Sequence, residues 1–320
     1  QILCKIGPQN TCILYRMKIL IKVPILAALP KTHFMCRNRR KPPLKKTARV
    51  HGHFHIHAQA SSPKGKTFDP REYRRALGKT NKYTRRFLSD PDAKKRMEDE
   101  GIGYSITGLV AQMKENDFEH VEEGVTIKLA DSYGFCWGVE RAVQMCYEAR
   151  KQYPMKKMWI TNEIIHNPTV NMRLSEMGVN FIKEKDGMKN FEQVQSGEVV
   201  VLPAFGASIH EMKLLAEKGV LIVDTTCPWV SKVWNSVDRH TRKQYTSIIH
   251  GKFAHEETIA TASFAKTYLV VKDIKDATWV CDYILNGGAT KAEFMKKFKN
   301  AHSDGFDPVK DLDAIGIANQ

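Results

Sequence analysis

The sequence predicts an α/β protein made of repeated small parallel-sheet units, and two observations lead there. From Gly124 onward, short apolar runs alternate with amphipathic stretches at strand–helix spacing. The residues able to do chemistry sit mostly at the junctions, where a strand ends and a helix begins, which is where ligands gather in parallel sheets.

The 320-residue chain, 42% hydrophobic, is long enough for two or three small domains with real cores. No segment approaches the roughly 18–20 uninterrupted apolar residues of a spanning helix; Ile19–Leu29 is short and carries Lys22 and Pro24. The net charge of +15 is unevenly placed. Residues 1–66 hold 14 Lys or Arg and no Asp or Glu, leaving 36 basic against 35 acidic residues in the rest. Once the leader is set aside, no interleaved basic–aromatic stripe remains, which excludes a nucleic-acid binder. An acid-free leader with scattered Ser, Thr, Pro and Arg reads as an organellar transit peptide, with Met17 as a start and cleavage near Ala58–Lys66. A disordered basic tail touching RNA or a membrane is the alternative. The alternating His51, His53, His55 and His57 in it are expected to hold no functional metal.

Residues 67–123 read as a charged helical N-terminal extension, with helices at Pro70–Leu77, Asp92–Glu100 and Ile106–Glu115. A first α/β domain is expected over 124–227 and a second, incomplete one over 228–320. Expected strands are Val125–Leu129, Met158–Thr161, Val199–Leu202, Val220–Val223, Thr246–His250, Tyr268–Val271 and Ile315–Ala318. Expected helices are Val139–Gln152, Thr169–Met177, Ser208–Lys218, Val230–Gln244, Glu257–Phe264, Lys275–Leu285 and Ala292–Ser303.

Cys136 and Cys227 each lie between an apolar run and a helical run. There, free backbone N–H groups and the helix dipole favour thiolate, which suits a buried, negatively charged metal cluster. Trp137 and Trp229 follow them and either shield such a cluster or simply pack in the core. Three further junctions carry His166 beside Glu163, the stretch Pro203–Ser208, and His255 with Glu257. A helix N-terminus with a histidine is a ready diphosphate site, and a glutamate beside it a proton donor. Cys146 lies ten residues beyond Cys136 on one helix, about 15 Å along its axis, too far to share a compact cluster. Cys281 reads as a small buried hydrophobe. A metal-free thiol enzyme, with His166 or His255 as base, stays open.

Four motifs then occur in order: Gly134-Phe135-Cys136-Trp137-Gly138-Val139-Glu140-Arg141, Glu163-Ile164-Ile165-His166-Asn167-Pro168, Asp224-Thr225-Thr226-Cys227-Pro228 and His255-Glu256-Glu257-Thr258. The chain thereby resembles the LytB family of 4-hydroxy-3-methylbut-2-enyl diphosphate reductases in its plant and cyanobacterial form, from about Thr67 to Gln320. The resemblance implies α/β domains in pseudo-threefold arrangement around a [4Fe-4S] cluster held by three cysteines, with one iron open to the substrate hydroxyl. It implies reductive dehydroxylation to isopentenyl and dimethylallyl diphosphate, ferredoxin as electron donor and a plastid location; a homodimer is compatible with it. Cys136 and Cys227 would be cluster ligands, His166 would bind the diphosphate, His255 would lie by hydroxyl and diphosphate, and Glu257 would deliver protons. Many bacterial members carry a second diphosphate-binding histidine where Phe205 stands here, and Phe205 is read as a subtype difference. The third cysteine and third domain are expected beyond Gln320. The chain as written is therefore expected to be incomplete and inactive by itself, with an exposed sheet edge; a genuine non-catalytic truncated product is the alternative.

Overall fold

The computed structural model describes residues 3–5, 68–87, 90–102, 108–185 and 188–320. Most of the basic leader, including the alternating histidines, lies outside them.

The described extension holds α1 (Pro70–Leu77), β2 (Tyr83–Thr84), α2 (Pro91–Asp99) and α3 (Gly108–Glu115), after β1 (Leu3–Lys5). Asp69 and Asp90 cap α1 and α2, each followed by a proline at the first helical position, where its missing N–H costs nothing. Next come β3 (Glu119–Glu122), β4 (Val125–Lys128), α4 (Trp137–Gln152), β5 (Met158–Ile160), α5 (Pro168–Glu176) and β6 (Val179–Phe181). A small hairpin, β7 (Glu184–Lys185) and β8 (Met188–Lys189), precedes β9 (Val199–Leu202), α6 (Ile209–Glu217), β10 (Leu221–Asp224) and α7 (Pro228–Arg242). The chain continues through β11 (Thr246–His250), α8 (Glu256–Ala262), β12 (Tyr268–Val271), α9 (Ile274–Asn286), α10 (Lys291–Lys297), α11 (Pro308–Asp311) and β13 (Ala314–Asn319).

Two sheets organise these elements. The larger is wholly parallel in the order β2-β10-β9-β5-β6. Its central run Val199-Val200-Val201-Leu202 is fully buried, as a parallel strand covered on both faces requires. The smaller runs β1-β13-β11-β12, with β13, β11 and β12 parallel and β1 antiparallel at the edge. The α/β class read from the sequence is what the chain adopts.

Four expectations need correction. Val125–Lys128 is no sheet-core strand: it pairs with β3 as an isolated antiparallel hairpin and all four residues are exposed. Cys136 therefore does not follow a strand of the parallel sheet, whereas Cys227 does. An exposed sheet edge is also expected, and at β13 it is half covered: β1 pairs with Ala314–Gly316, while Ile317–Asn319 pair with β11 alone among the described residues. Cys281 is exposed rather than buried. Asp276 and Val280 are the buried residues of α9, and Cys281 falls on the opposite side of the turn. The last expected helix also stops at Lys297, before His302 bridges to Leu269 of β12.

The extension is bound to the larger sheet through a buried carboxylate. Asp224, fully buried at the end of β10, accepts from Arg74 at 2.9 Å, lies 3.1 Å from Arg85 and takes the Tyr83 hydroxyl. Burial alone would raise its pKa; the Arg74 and Arg85 guanidiniums and the Thr226 and Tyr83 hydrogen bonds outweigh it and hold the carboxyl well below the usual range.

Candidate functional site

Cys136 and Cys227 occupy the N-cap positions of α4 and α7, and neither side chain makes the capping hydrogen bond. Ser, Thr, Asp or Asn usually fills that position, so both sulfurs are left for another partner. They face one small space. A Cβ built on Gly138 would stand 2.4 Å from Cys227 Sγ and 4.0 Å from Cys136 Sγ. Gly138 is glycine because the thiol of Cys227 occupies the volume a side chain would need. Trp137 and Trp229 are 61% and 63% exposed, so core packing does not account for them; Lys232 Nζ sits 4.1 Å from the Trp229 ring.

Main-chain bonds fix the loops of the larger sheet to one another. Ala204 N–H donates to Ile164 O at 3.2 Å, and Cys227 N–H donates to Ala204 O at 2.8 Å. The Thr225 hydroxyl donates to Leu202 O at 2.6 Å. Asn171 braces the loop that carries His166, accepting from Ile164 N–H and donating to Ile165 O. The loops after β5, β9 and β10 are therefore tied to one another.

His166 and His255 come together from different sheets, their Nε2 atoms 3.3 Å apart. His255 caps α8, its Nδ1 accepting the Glu257 N–H at 3.2 Å. That bond places the proton of neutral His255 on Nε2, aimed at His166 Nε2. His166 in turn donates from Nδ1 to Glu163 at 2.9 Å. Phe205 stacks on His166, with centroids 4.7 Å apart, and meets His255 edge-on at 6.0 Å. The His255 pKa is lowered by burial first, then by the fields of His166 and Lys252, with Glu256 opposing. Lys189 on β8 holds the α8 side in place, bonding both Glu211 of α6 and Glu256 of α8 at 2.7 Å.

Glu257 lines a neighbouring cavity of about 550 Å³, with Trp229, Val230 and Val233 of α7 and with Asn319 and Gln320 at the end of β13. Burial raises its pKa, as a proton donor needs. Gln320 joins the wall, accepting from the Thr258 hydroxyl at 2.8 Å and donating to Thr261.

The structure thus brings the two thiols together, brings His166 and His255 together, and sets Glu257 on the cavity beside the helix that Cys227 caps. Sequence reasoning missed Lys189, Asn171 and the stacking role of Phe205. Closeness in the loop after β5, three positions apart, was the available signal for the pairing of Glu163 with His166. Two convergent thiols fit part of an iron–sulfur ligand set. Among the described residues, no group of three or more His, Cys, Asp or Glu side chains could hold a metal ion. Cys146 is buried in α4 with its thiol pushed up to about 12.

Comparison with known proteins bears on these same positions. The LytB protein family model matches residues 127–310. A 4-hydroxy-3-methylbut-2-enyl diphosphate reductase, chloroplastic, of Botryococcus braunii is 58% identical over 251 residues, covering 78% of this chain and 50% of that protein. The 4-hydroxy-3-methylbut-2-enyl diphosphate reductase of Crocosphaera subtropica is 58% identical over 256 residues, covering 79% of this chain and 62% of its own length. The solved E-1-hydroxy-2-methyl-but-2-enyl-4-diphosphate reductase of Plasmodium falciparum is similar at 27% identity and a TM-score of 0.42, over 46% of this chain and 45% of that one. The chain spans half to about three fifths of the length of these curated relatives. The match at 127–310 takes in both thiols, both histidines and Glu257, and the chain belongs to the LytB family.

Proposed function

We propose that this chain is part of a plastid oxidoreductase that converts 4-hydroxy-3-methylbut-2-enyl diphosphate to isopentenyl and dimethylallyl diphosphate, the last step of the methylerythritol phosphate route. The observation that carries the reading is the pair of uncapped helix N-termini whose cysteine sulfurs meet over Gly138. Cys136 and Cys227 would hold an iron–sulfur cluster, which when bound supplies electrons one at a time; ferredoxin is the electron donor that suits a plastid. The chloroplastic relative from Botryococcus braunii supports that location. We read 1–66 as the transit segment, 67–123 as the extension, and 124–227 and 228–320 as successive α/β domains; a homodimer is compatible with this reading.

The chain's own residues suit the chemistry. An anion set between His166 and His255 takes the His255 Nε2–H that now faces His166, and Glu163 keeps His166 oriented while this happens. Phe205 offers no hydrogen bond, so diphosphate contacts at that turn fall to main-chain N–H groups. Glu257, kept protonated more readily by burial, holds the proton needed for a hydroxyl to leave as water.

The test is anaerobic reconstitution of the full gene product with iron and sulfide, followed by Mössbauer spectra and an assay with reduced viologen. Cys136→Ser and Cys227→Ser should each lose the cluster signal and turnover. Diphosphate binding without any bound iron would instead favour a non-catalytic binding role.

A further inference from the structure

We infer a second anion site, distinct from the thiols and histidines, in the cleft between α1 and α7. A cavity of about 270 Å³ opens there. Arg71, Arg74 and Arg75 of α1 and Arg85 just after β2 line one side, facing Trp234 and Asp238 of α7. All four arginines precede residue 127, where the family match begins, while Trp234, Asn235, Asp238 and Phe264 on the facing wall lie within it.

The charges around this cavity do not balance. Asp224 is shared by Arg74 at 2.9 Å and Arg85 at 3.1 Å. Asp238 is shared by Arg71 at 3.2 Å and Arg242 at 3.3 Å, and Arg242 also lies 3.6 Å from Asp69. Arg75 makes no ion pair among the described residues. Five guanidiniums therefore surround three carboxylates, in a cleft whose low-dielectric walls strengthen their field. Hydrogen-bonding capacity is left over as well. Trp234 is 2% exposed, yet among the described residues its indole N–H has no partner, and neither does Arg74 Nε. The Arg74 guanidinium sits 4.6 Å above the Trp234 ring, which fixes its plane at the cavity wall.

A surplus of forked donors selects a multiply charged oxyanion, and phosphate geometry suits guanidinium. The volume lies below the range of drug-sized ligand pockets, so the ligand is small. Diphosphate or a compact phosphate ester has the right charge and bulk, and the aromatic wall of Trp234 and Phe264 accommodates a short apolar group.

The experiment is calorimetric titration of inorganic diphosphate into the full chain carrying His166→Gln and His255→Gln, which removes the histidine pair as a competing site. One equivalent should bind, and hydrogen exchange should slow over α1 and α7. Adding Arg75→Gln, an exposed change with no ion pair to break, should weaken binding roughly tenfold at an unchanged melting temperature. Inorganic monophosphate should bind several-fold more weakly than diphosphate. Absence of binding to the histidine-free protein, an affinity indifferent to Arg75→Gln, or protection elsewhere than α1 and α7 would overturn the site. None of these outcomes depends on iron or turnover, so they read independently of the proposed reaction.

Discussion

His166 and His255 lie 89 positions apart in the chain and 3.3 Å apart at their Nε2 atoms. At that distance His166 disfavours a charge on His255. Burial, followed by the His166 field, holds His255 below its ordinary value of 6.5. The sign follows directly: the free fold resists protonating His255, loses stability as pH falls through the ordinary histidine range, and recovers it when an anion binds. Affinity for inorganic diphosphate at this pair should therefore rise as pH drops from about 8 to about 6. His255→Gln should flatten that slope. A flat profile in the unmodified protein would count against the pair as an anion site.

Gly138→Ala separates shape from backbone strain. The residue lies inside α4, where alanine favours the helix by about 1 kcal/mol over glycine. Its methyl group would meet Cys227 Sγ at 2.4 Å. The variant should fold normally, while iron bound after anaerobic reconstitution falls several-fold. Full iron loading would show that the two sulfurs do not act together.

Asp224→Asn removes the carboxylate on which Arg74 and Arg85 converge. Uncompensated guanidiniums in a largely buried setting cost about 3–5 kcal/mol, a Tm drop of roughly 10 °C. Because the folded pKa of Asp224 is lowered, its contribution is complete above the ordinary aspartate value and is lost only as pH falls through the lowered one. The loss should thus be fully visible at neutral pH by differential scanning calorimetry. Proteolysis should then attack the extension around α1 first.

Glu257→Gln should move stability and activity in opposite directions. Burial raises the folded pKa of Glu257, so ionising it costs stability above the ordinary value of 4.5, and the cost disappears below that value. The glutamine variant should melt slightly higher at neutral pH, converge with the unmodified protein in acid, and lose about 100-fold or more in turnover. Equal melting at all pH values would place Glu257 in water.

Much of this arrangement was legible in the residues, though unevenly. Val199–Leu202 announces itself as a buried parallel strand because all four consecutive positions are apolar, and Thr246–His250 because Ile248 and Ile249 stand beside a β-branched Thr246 between two helical runs. Val179–Phe181 escaped because an asparagine interrupts three residues, and Tyr83–Thr84 because two residues among arginines carry no period. Val125–Lys128 misled for the opposite reason: its alternation is genuine, yet its apolar residues face solvent. Cys136, Cys227, His166 and His255 stood out as chemistry at junctions. Lys189 did not, since a lysine in a two-residue strand looks like any surface charge. Its partners are 22 and 67 positions away, and only the fold shows that it joins them.

The Arg74–Asp224 contact also sets an order of events as the chain emerges, N-terminus first. The two residues are 150 positions apart, so α1 emerges long before the strand that anchors it exists. Until β10 has been made and paired with β9, the extension has no docking place, and its arginines remain available to any passing polyanion. Closure of the larger sheet is thus a late, non-local step, slow by the general relation between contact separation and folding rate. Helix α1, made 150 positions before its anchor, is therefore late to settle.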